Sequence, residues 1–295
     1  MASYRSGYLF AFLGTLTFSF TLPMVKIALV SFDPWAITFT RTTVAGATAL
    51  AVVLVRRTPW PARDQWRTIA LTGLGISLGF PIFSTLALQR TTSAHGAVLI
   101  ASLPLVTAVF GVLGHGERVS RVFWVGAGLG AIALGTYAWR HGGGSDGDPL
   151  ADALLIAAVL SSAFGYSEGA RLTRVMPGWQ VVSWCVILWL PLSLAGLVAS
   201  YSRAGAVHDV QLPAALAVAF VSFGSMYLGF FAWYRGLGEL GVARGGQIQM
   251  LQPLLTLAWS ALLLRERIGG DALATAAVVL ACVALTQRAR HSRRA

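Results

Sequence analysis

Three charged side chains lie well inside apolar stretches of this 295-residue chain: Lys26, Arg41 and Glu168. A charge in hydrocarbon costs about 2.5–3.5 kcal/mol even on a lenient insertion scale, so each needs a reason to be there. Lys26 precedes Asp33 by seven residues and Arg41 follows Pro34 by seven. At about 1.5 Å per residue, both lie roughly 10 Å below the same surface. Either both snorkel to that surface and pair with Asp33, or together they attract a carboxylate or other anion to that end of a cavity. Glu168 is six residues before Arg174, which puts it roughly 10 Å from the opposite face. Glu168 and Lys26 are thus about a third of a roughly 30 Å core apart, too far for a direct ion pair. Ser161, Gly165 and Glu168 recur at i, i+4 and i+7, giving one small, polar helix face. There the glutamate either binds an amino group or a proton, or forms a structural pair with Arg171 or another cation on the cytoplasmic side.

Uncharged polar groups form a second set. Gln249, Gln252, Thr256 and Ser260 recur at helical spacing among Leu, Ala and Trp. Facing lipid they would be unsatisfied, so they face either another helix or a wet cavity. Thr107, Ser102 and His95 make a similar polar side near Pro104. Ser222, Ser225, Gly229 and Trp233 share one face, with Tyr227 and Tyr234 nearby, and Tyr166, Phe18 and Phe20 add aromatic rings. Aromatic walls with a few hydroxyls suit an aromatic or neutral amino acid, which has an apolar body and a polar end. Rings of this kind also serve as ordinary packing, and both readings stand.

Other chemistries are excluded. Gly75-Ile76-Ser77-Leu78-Gly79 matches the G-x-S-x-G nucleophile elbow, but that motif requires a strand–turn–helix setting. The glycines at Gly126, Gly128 and Gly130 follow no strand, so they are not a dinucleotide fingerprint. No P-loop, HExxH or His/Cys cluster occurs. The chain reads as a non-enzyme that needs no cofactor and no metal.

The elements that must position these residues are apolar spans. Hydrophobic residues make up 56% of the chain and mean hydropathy is +0.69, beyond what a soluble core needs. Stretches of about 20 apolar residues, long enough to cross a bilayer, recur throughout. Ten are expected, near 7–30, 34–55, 68–89, 94–114, 120–140, 151–172, 179–200, 213–235, 241–264 and 270–288. The first is too long for a cleavable signal and lacks a small-residue cleavage site. With the N-terminus inside, 15 arginines flank the cytoplasmic side against 5 outside, Arg41 being within a span. That asymmetry follows the positive-inside rule, so the net charge of +11 points to a lipid bilayer rather than to nucleic acid. Both termini are expected in the cytoplasm. The excess of arginine over lysine, 21 to 1, and the absence of asparagine suggest a high-GC bacterial source and an inner membrane. Cys185 and Cys282 both fall in spans and read as buried thiols. Trp35, Trp60, Trp66, Trp139 and Trp179 sit at span ends and read as an interfacial belt.

The chain also repeats itself. Leu88, Ala94, Gly96, Pro104, Leu105, Thr107, Leu113, Glu117 and Arg118 recur, 149 positions on, as Leu237, Ala243, Gly245, Pro253, Leu254, Thr256, Leu262, Glu266 and Arg267. Residues 1–141 form the first expected half, 142–149 a Gly/Asp-rich linker, and 150–295 the second half with a short basic tail. Five spans per half, an odd number, make the halves inverted, and such pairs place substrate at their interface near the midplane. Pro23, Pro81, Pro104, Pro191 and Pro253 mark expected kinks. Pro104 and Pro253 occupy matching places, where they either gate a cavity or only pack. Gly126 and Gly130 have GxxxG spacing, which fits intramolecular packing in a monomer better than a dimer face.

Tyr234-Arg235-Gly236-Leu237, Gly241-Val242-Ala243, Pro253 and Arg265-Glu266-Arg267 resemble the EamA-type repeat of the drug/metabolite transporter superfamily. Leu88, Ser93-Ala94, Pro104 and Gly116-Glu117-Arg118 are a diverged copy. The resemblance covers essentially the whole chain, and within the superfamily it leans toward bacterial aromatic amino-acid exporters of the YddG type. It implies an all-α integral membrane protein of ten transmembrane helices, arranged as two inverted five-helix EamA repeats. It further implies a basket-like cavity lined by spans 1, 3, 4, 6, 8 and 9. The expected function is export of small metabolites, chiefly aromatic or neutral amino acids, by alternating access. An organic-anion or sugar-phosphate exchanger with Lys26 and Arg41 as its clamp is the rival, and a membrane sensor without flux is the non-transport one. Glu168 has no acidic partner in span 1, unlike the small four-helix drug exporters, whose first helix carries the coupling glutamate.

Overall fold

A computed structural model describes residues 2–115, 121–141, 148–203, 205–240 and 248–291, and those residues are built from helices joined by short turns. Several expectations lie outside those residues: Gly116-Glu117-Arg118, the linker up to residue 147, Gly241-Val242-Ala243, Arg244, Gly245 and the last four residues. The same holds for the side chains of Arg5, Trp139, Arg288 and Arg290. The helices are α1 (Ala2–Ser19), α2 (Thr21–Ala28), α3 (Pro34–Val55), α4 (Trp66–Gly73), α5 (Phe80–Leu88), α6 (Ser93–Ile100), α7 (Leu103–His115) and α8 (Arg121–His141). They continue as α9 (Pro149–Leu172), α10 (Gly178–Leu188), α11 (Leu190–Tyr201), α12 (Leu212–Ala219), α13 (Phe230–Leu240), α14 (Leu251–Leu264) and α15 (Gly270–His291).

Every proline expected to bend a span falls in the first turn of a new helix. Pro23 is the third residue of α2, Pro253 the third of α14, and Pro81, Pro104 and Pro191 are the second residues of α5, α7 and α11. A first turn needs no donor at those positions, and the ring blocks continuation from the preceding helix. The α10–α11 break bends by 50°. The breaks ahead of Pro104 and Pro253 fall at Ala101-Ser102 and Met250, so the repeat of sequence is also a repeat of helix interruption.

Two π-helical segments, Leu74–Gly79 and Phe220–Gly229, join α4 to α5 and α12 to α13. Gly75 and Gly224 stand at the repeat offset of 149 within them. Gly75 has a plain steric role: a Cβ there would lie 2.4 Å from the Ser161 carbonyl oxygen and 2.9 Å from the Gly165 Cα. The elbow-like sequence is thus a contact at which α9 packs directly on helical backbone.

Among the described residues, six helical stretches are long and apolar enough to cross a membrane, and the bent α10–α11 pair makes a seventh if it is taken as one span. Leu54, Leu113, Ile132 and Leu262 are each at least 66% exposed, which suits hydrocarbon rather than water around the bundle. Among the described residues the single bridge between extended segments, Phe32 with Val207, ties two loops. Asp33 N donates to Ala206 O and His208 N to Ser31 O, while Arg90 pairs with Asp148 at 2.7 Å. Loops around 31–33, 89–92, 148 and 206–209 therefore gather at one end. At the other end Trp60 and Trp66 pack with Trp184, and Arg56 lies 5.2 Å over Trp179.

Candidate functional site

Arg41 is the focus of the interior. It lies one turn beyond Ile37 on the buried face of α3 and is 2% exposed. Its Nη2 reaches Ser225 Oγ at 3.5 Å, and Ser225 is shared with Thr21 at 2.6 Å. Among the described residues, Nε and Nη1 have no hydrogen-bond partner. Tyr166 of α9 meets Ser162 and Gln249 through its hydroxyl and feels the Arg41 charge. Gln249 Nε2 and Gln252 Oε1 are likewise buried without a partner among the described residues. Thr256 donates to Ser19 O at 2.9 Å, and Trp259 Nε1 donates to Ser19 Oγ at 3.0 Å. The break between α1 and α2 thus faces the polar side of α14, as the spacing of Gln252 and Thr256 anticipates.

Aromatic rings wall this region. Phe18 packs on Phe230 at 4.7 Å and edge-on to Trp233 at 6.4 Å, and Tyr166 meets Phe230 at 6.1 Å. Phe20 stacks on Trp259 at 4.2 Å. Two guanidinium nitrogens and two amide atoms without a partner among the described residues, together with ring faces, could hold a molecule with a carboxylate and an apolar body.

The two cations expected to act together part company. Arg41 neither snorkels nor meets Asp33, whose carboxylate accepts from Trp35 N at the start of α3. Lys26 Nζ donates to Leu88 O at 2.7 Å and to Thr91 O at 2.8 Å, at the end of α5. Beside it Glu266 accepts from Ser93 N at 2.9 Å and Ala94 N at 2.7 Å, at the start of α6. Ser260 adds a bond to Ser93 at 2.9 Å. Glu168 pairs with Arg171 at 3.2 Å, the structural alternative for that residue.

Other expected site residues lie elsewhere. Ser102, in the break between α6 and α7, donates to Leu99 O of α6, and Thr107 donates to Leu103 O one turn back in α7. Ser161 packs against Gly75 and Gly79, and Tyr227 bonds to Ser183 at 3.0 Å. His95 pairs with Asp152 at 2.5 Å. The structure brings together Arg41, Tyr166, Ser225, Gln249, Gln252, Thr256, Phe18 and Phe20, with Trp233 at the edge of the ring stack. Sequence reasoning missed Phe230, Thr21, Trp259, Asp152 and the capping role of Glu266. Only Glu266 carried a signal, through its place in the repeat.

The sequence pattern of the EamA-like transporter family matches residues 5–137 and again 149–287. The chain is 40% identical over 283 residues to YdeK of Bacillus subtilis (strain 168), named an uncharacterized transporter, covering 96% of this chain and 97% of that one. It is 24% identical to the aromatic amino acid exporter YddG of Ancylobacter novellus, over 95% of this chain and 94% of the relative. A solved crystal structure shares the fold with a TM-score of 0.66 at 20% identity, covering 95% of this chain and 98% of the other. Two family matches, one on each half, and a full-length relative at 40% identity leave one conclusion: the chain belongs to the EamA-like transporter family.

Proposed function

We propose that this membrane transporter exports aromatic and neutral amino acids by alternating access, through a central cavity built around Arg41. The observation that carries the reading is the buried Arg41 guanidinium, with Nε and Nη1 unpartnered among the described residues beside the rings of Tyr166, Phe18 and Phe230. A buried charge without a counter-charge is costly, and a substrate carboxylate would relieve that cost with bidentate bonds. Gln249 Nε2 would donate to the same carboxylate, and Gln252 Oε1 would accept from an ammonium. The full-length relative named for aromatic amino acid export supports the cargo class. Lys26 is occupied by two carbonyls, which disfavours an anion exchanger with a Lys26–Arg41 clamp.

In this reading the halves 1–141 and 150–295, joined by the linker 142–149, are inverted repeats of five helices each. Both termini lie in the cytoplasm, and the bundle sits in a bacterial inner membrane as a monomer. The gathering of alternate loops at one end supports that topology. The paired breaks before Pro104 and Pro253 would let each half flex as access exchanges. Counterflow in proteoliposomes loaded with labelled phenylalanine, tryptophan and leucine tests the proposal. Saturable exchange is expected; no saturable flux across the panel would overturn it.

A further inference from the structure

Away from Arg41, ionisable side chains from four elements converge at the end of the bundle that holds the 89–92 turn. His95 of α6 and Asp152 of α9 meet at 2.5 Å with side chains only 6% and 10% exposed. Tyr137 of α8 stacks on the His95 ring, centroids 5.2 Å apart and planes inclined by 27°. The Tyr137 hydroxyl lies within electrostatic reach of both Asp152 and Asp271 of α15. A cleft of about 250 Å3 between α8 and α15, lined by Thr136, Tyr137, Arg140, Asp271 and Thr275, borders this group at Tyr137 and Asp271. Glu266, on the amides of Ser93 and Ala94, and Lys26, on Leu88 O and Thr91 O, complete the charged surroundings.

A clamp between α6 and α9 needs no titratable groups, because a neutral hydrogen-bonded pair would join them without the cost of burying charge. Histidine is the side chain whose charge changes within the physiological pH range, and a neighbouring carboxylate favours its protonated form. We propose that His95 and Asp152 form the proton-binding site of this transporter, reached from the cleft past Asp271 and Tyr137. A proton from water in the cleft adds to the imidazole or the carboxylate, making one N–H or O–H bond, and the pair goes from one negative charge to neutral. Loss of that proton restores the negative charge on a pair held through His95, the residue that follows Ala94, whose amide Glu266 grips. Repulsion between the two acids then loosens the grip. Proton binding therefore favours closure of this end and proton release favours its opening, which links proton movement to substrate movement.

The coupling rests on the transport reading above, so the test separates the two. In proteoliposomes, counterflow and transport driven by a pH gradient are measured for the wild type, His95→Gln, Asp152→Asn and Tyr137→Phe. The gradient should accelerate wild-type transport at least about fivefold, the lower end of ordinary coupling. His95→Gln and Asp152→Asn should keep counterflow yet lose the acceleration. Tyr137→Phe, which leaves the pair intact, should slow the gradient-driven phase alone. Acceleration retained in both pair variants, or wild-type counterflow indifferent to the gradient, would overturn the proposal. Absence of wild-type counterflow would sink the amino-acid reading instead. The proton site is then decided without substrate, by melting temperatures of the wild type and Asp152→Asn across about pH 5–8. A difference that changes with pH supports titration of the pair, and a constant difference makes it a mere clamp.

Discussion

Lys26 and Glu266 hold one turn from its two ends. The lysine ammonium covers the carbonyls of Leu88 and Thr91 where α5 stops, and the glutamate covers the amides of Ser93 and Ala94 where α6 starts. Each charge has the sign that complements the helix end it meets. Because Lys26 comes from α2 and Glu266 lies two residues beyond α14, the turn is bound to elements far apart in the sequence. Glu266→Gln should loosen this end. Charge-assisted bonds are worth about 1.5–3 kcal/mol each, so labelling of an introduced Ala94→Cys by a membrane-impermeant maleimide should rise roughly tenfold. Lys26→Met should raise labelling too, while leaving apparent affinity for cargo unchanged. Unaltered labelling in both variants would mean that the turn is not a closure.

The contact between the Leu74–Gly79 segment and α9 makes a steric prediction. Gly75→Ala puts a methyl 2.4 Å from a backbone oxygen that cannot rotate away. Overpacking costs about 1–3 kcal/mol, occasionally more, and the melting temperature in detergent should fall by several degrees or folded yield should be lost. Gly128→Ala and Gly135→Ala meet nothing within 4 Å and should be neutral or slightly stabilising. Equal behaviour of all three variants would show that close approach is not what the glycine provides.

A pH-dependent effect is expected at the exposed end of α9. The Arg90 guanidinium, with help from Leu150 N, holds the Asp148 carboxyl below its usual value of 3.8. The folded-state pKa is depressed, so the stabilisation is complete above the unfolded value and fades as pH falls through the lower folded one. Asp148→Asn should therefore melt slightly below wild type at neutral pH, with the gap closing in strong acid and shrinking at high salt. A gap that persists at every pH and salt concentration would place the effect in the helix cap rather than in the charge.

Much of the framework is legible in the amino-acid sequence. Pro104 and Pro253 announce their helix breaks because proline acts locally, on its own donor and the preceding turn. The Glu168–Arg171 pair is legible for the same reason, its partners being three residues apart. Lys26 and Arg41 are not separable in this way, since residue counting gives depth and both have the same depth. What divides them is which helices their side chains meet: Leu88 and Thr91 in one case, Ser225 and Tyr166 in the other. Those partners are distant in sequence, and spacing along one helix does not say which side chains of another helix it meets. The pairing of Asp152 with His95 is hidden likewise, each looking like an ordinary polar residue near the start of its own helix.

The central claim is that Arg41 receives the carboxylate of the cargo, and the most direct measurement is ligand-induced stabilisation of the wild type and Arg41→Met in detergent. L-phenylalanine and phenethylamine, the same molecule without its carboxylate, are the probes. Arg41→Met removes a buried charge that meets no carboxylate among the described residues, so the empty variant should melt at or above the wild-type temperature. L-phenylalanine should raise the wild-type melting temperature, phenethylamine should not, and neither should move the variant. A phenylalanine shift retained in Arg41→Met, or an equal shift with phenethylamine in the wild type, would contradict the account.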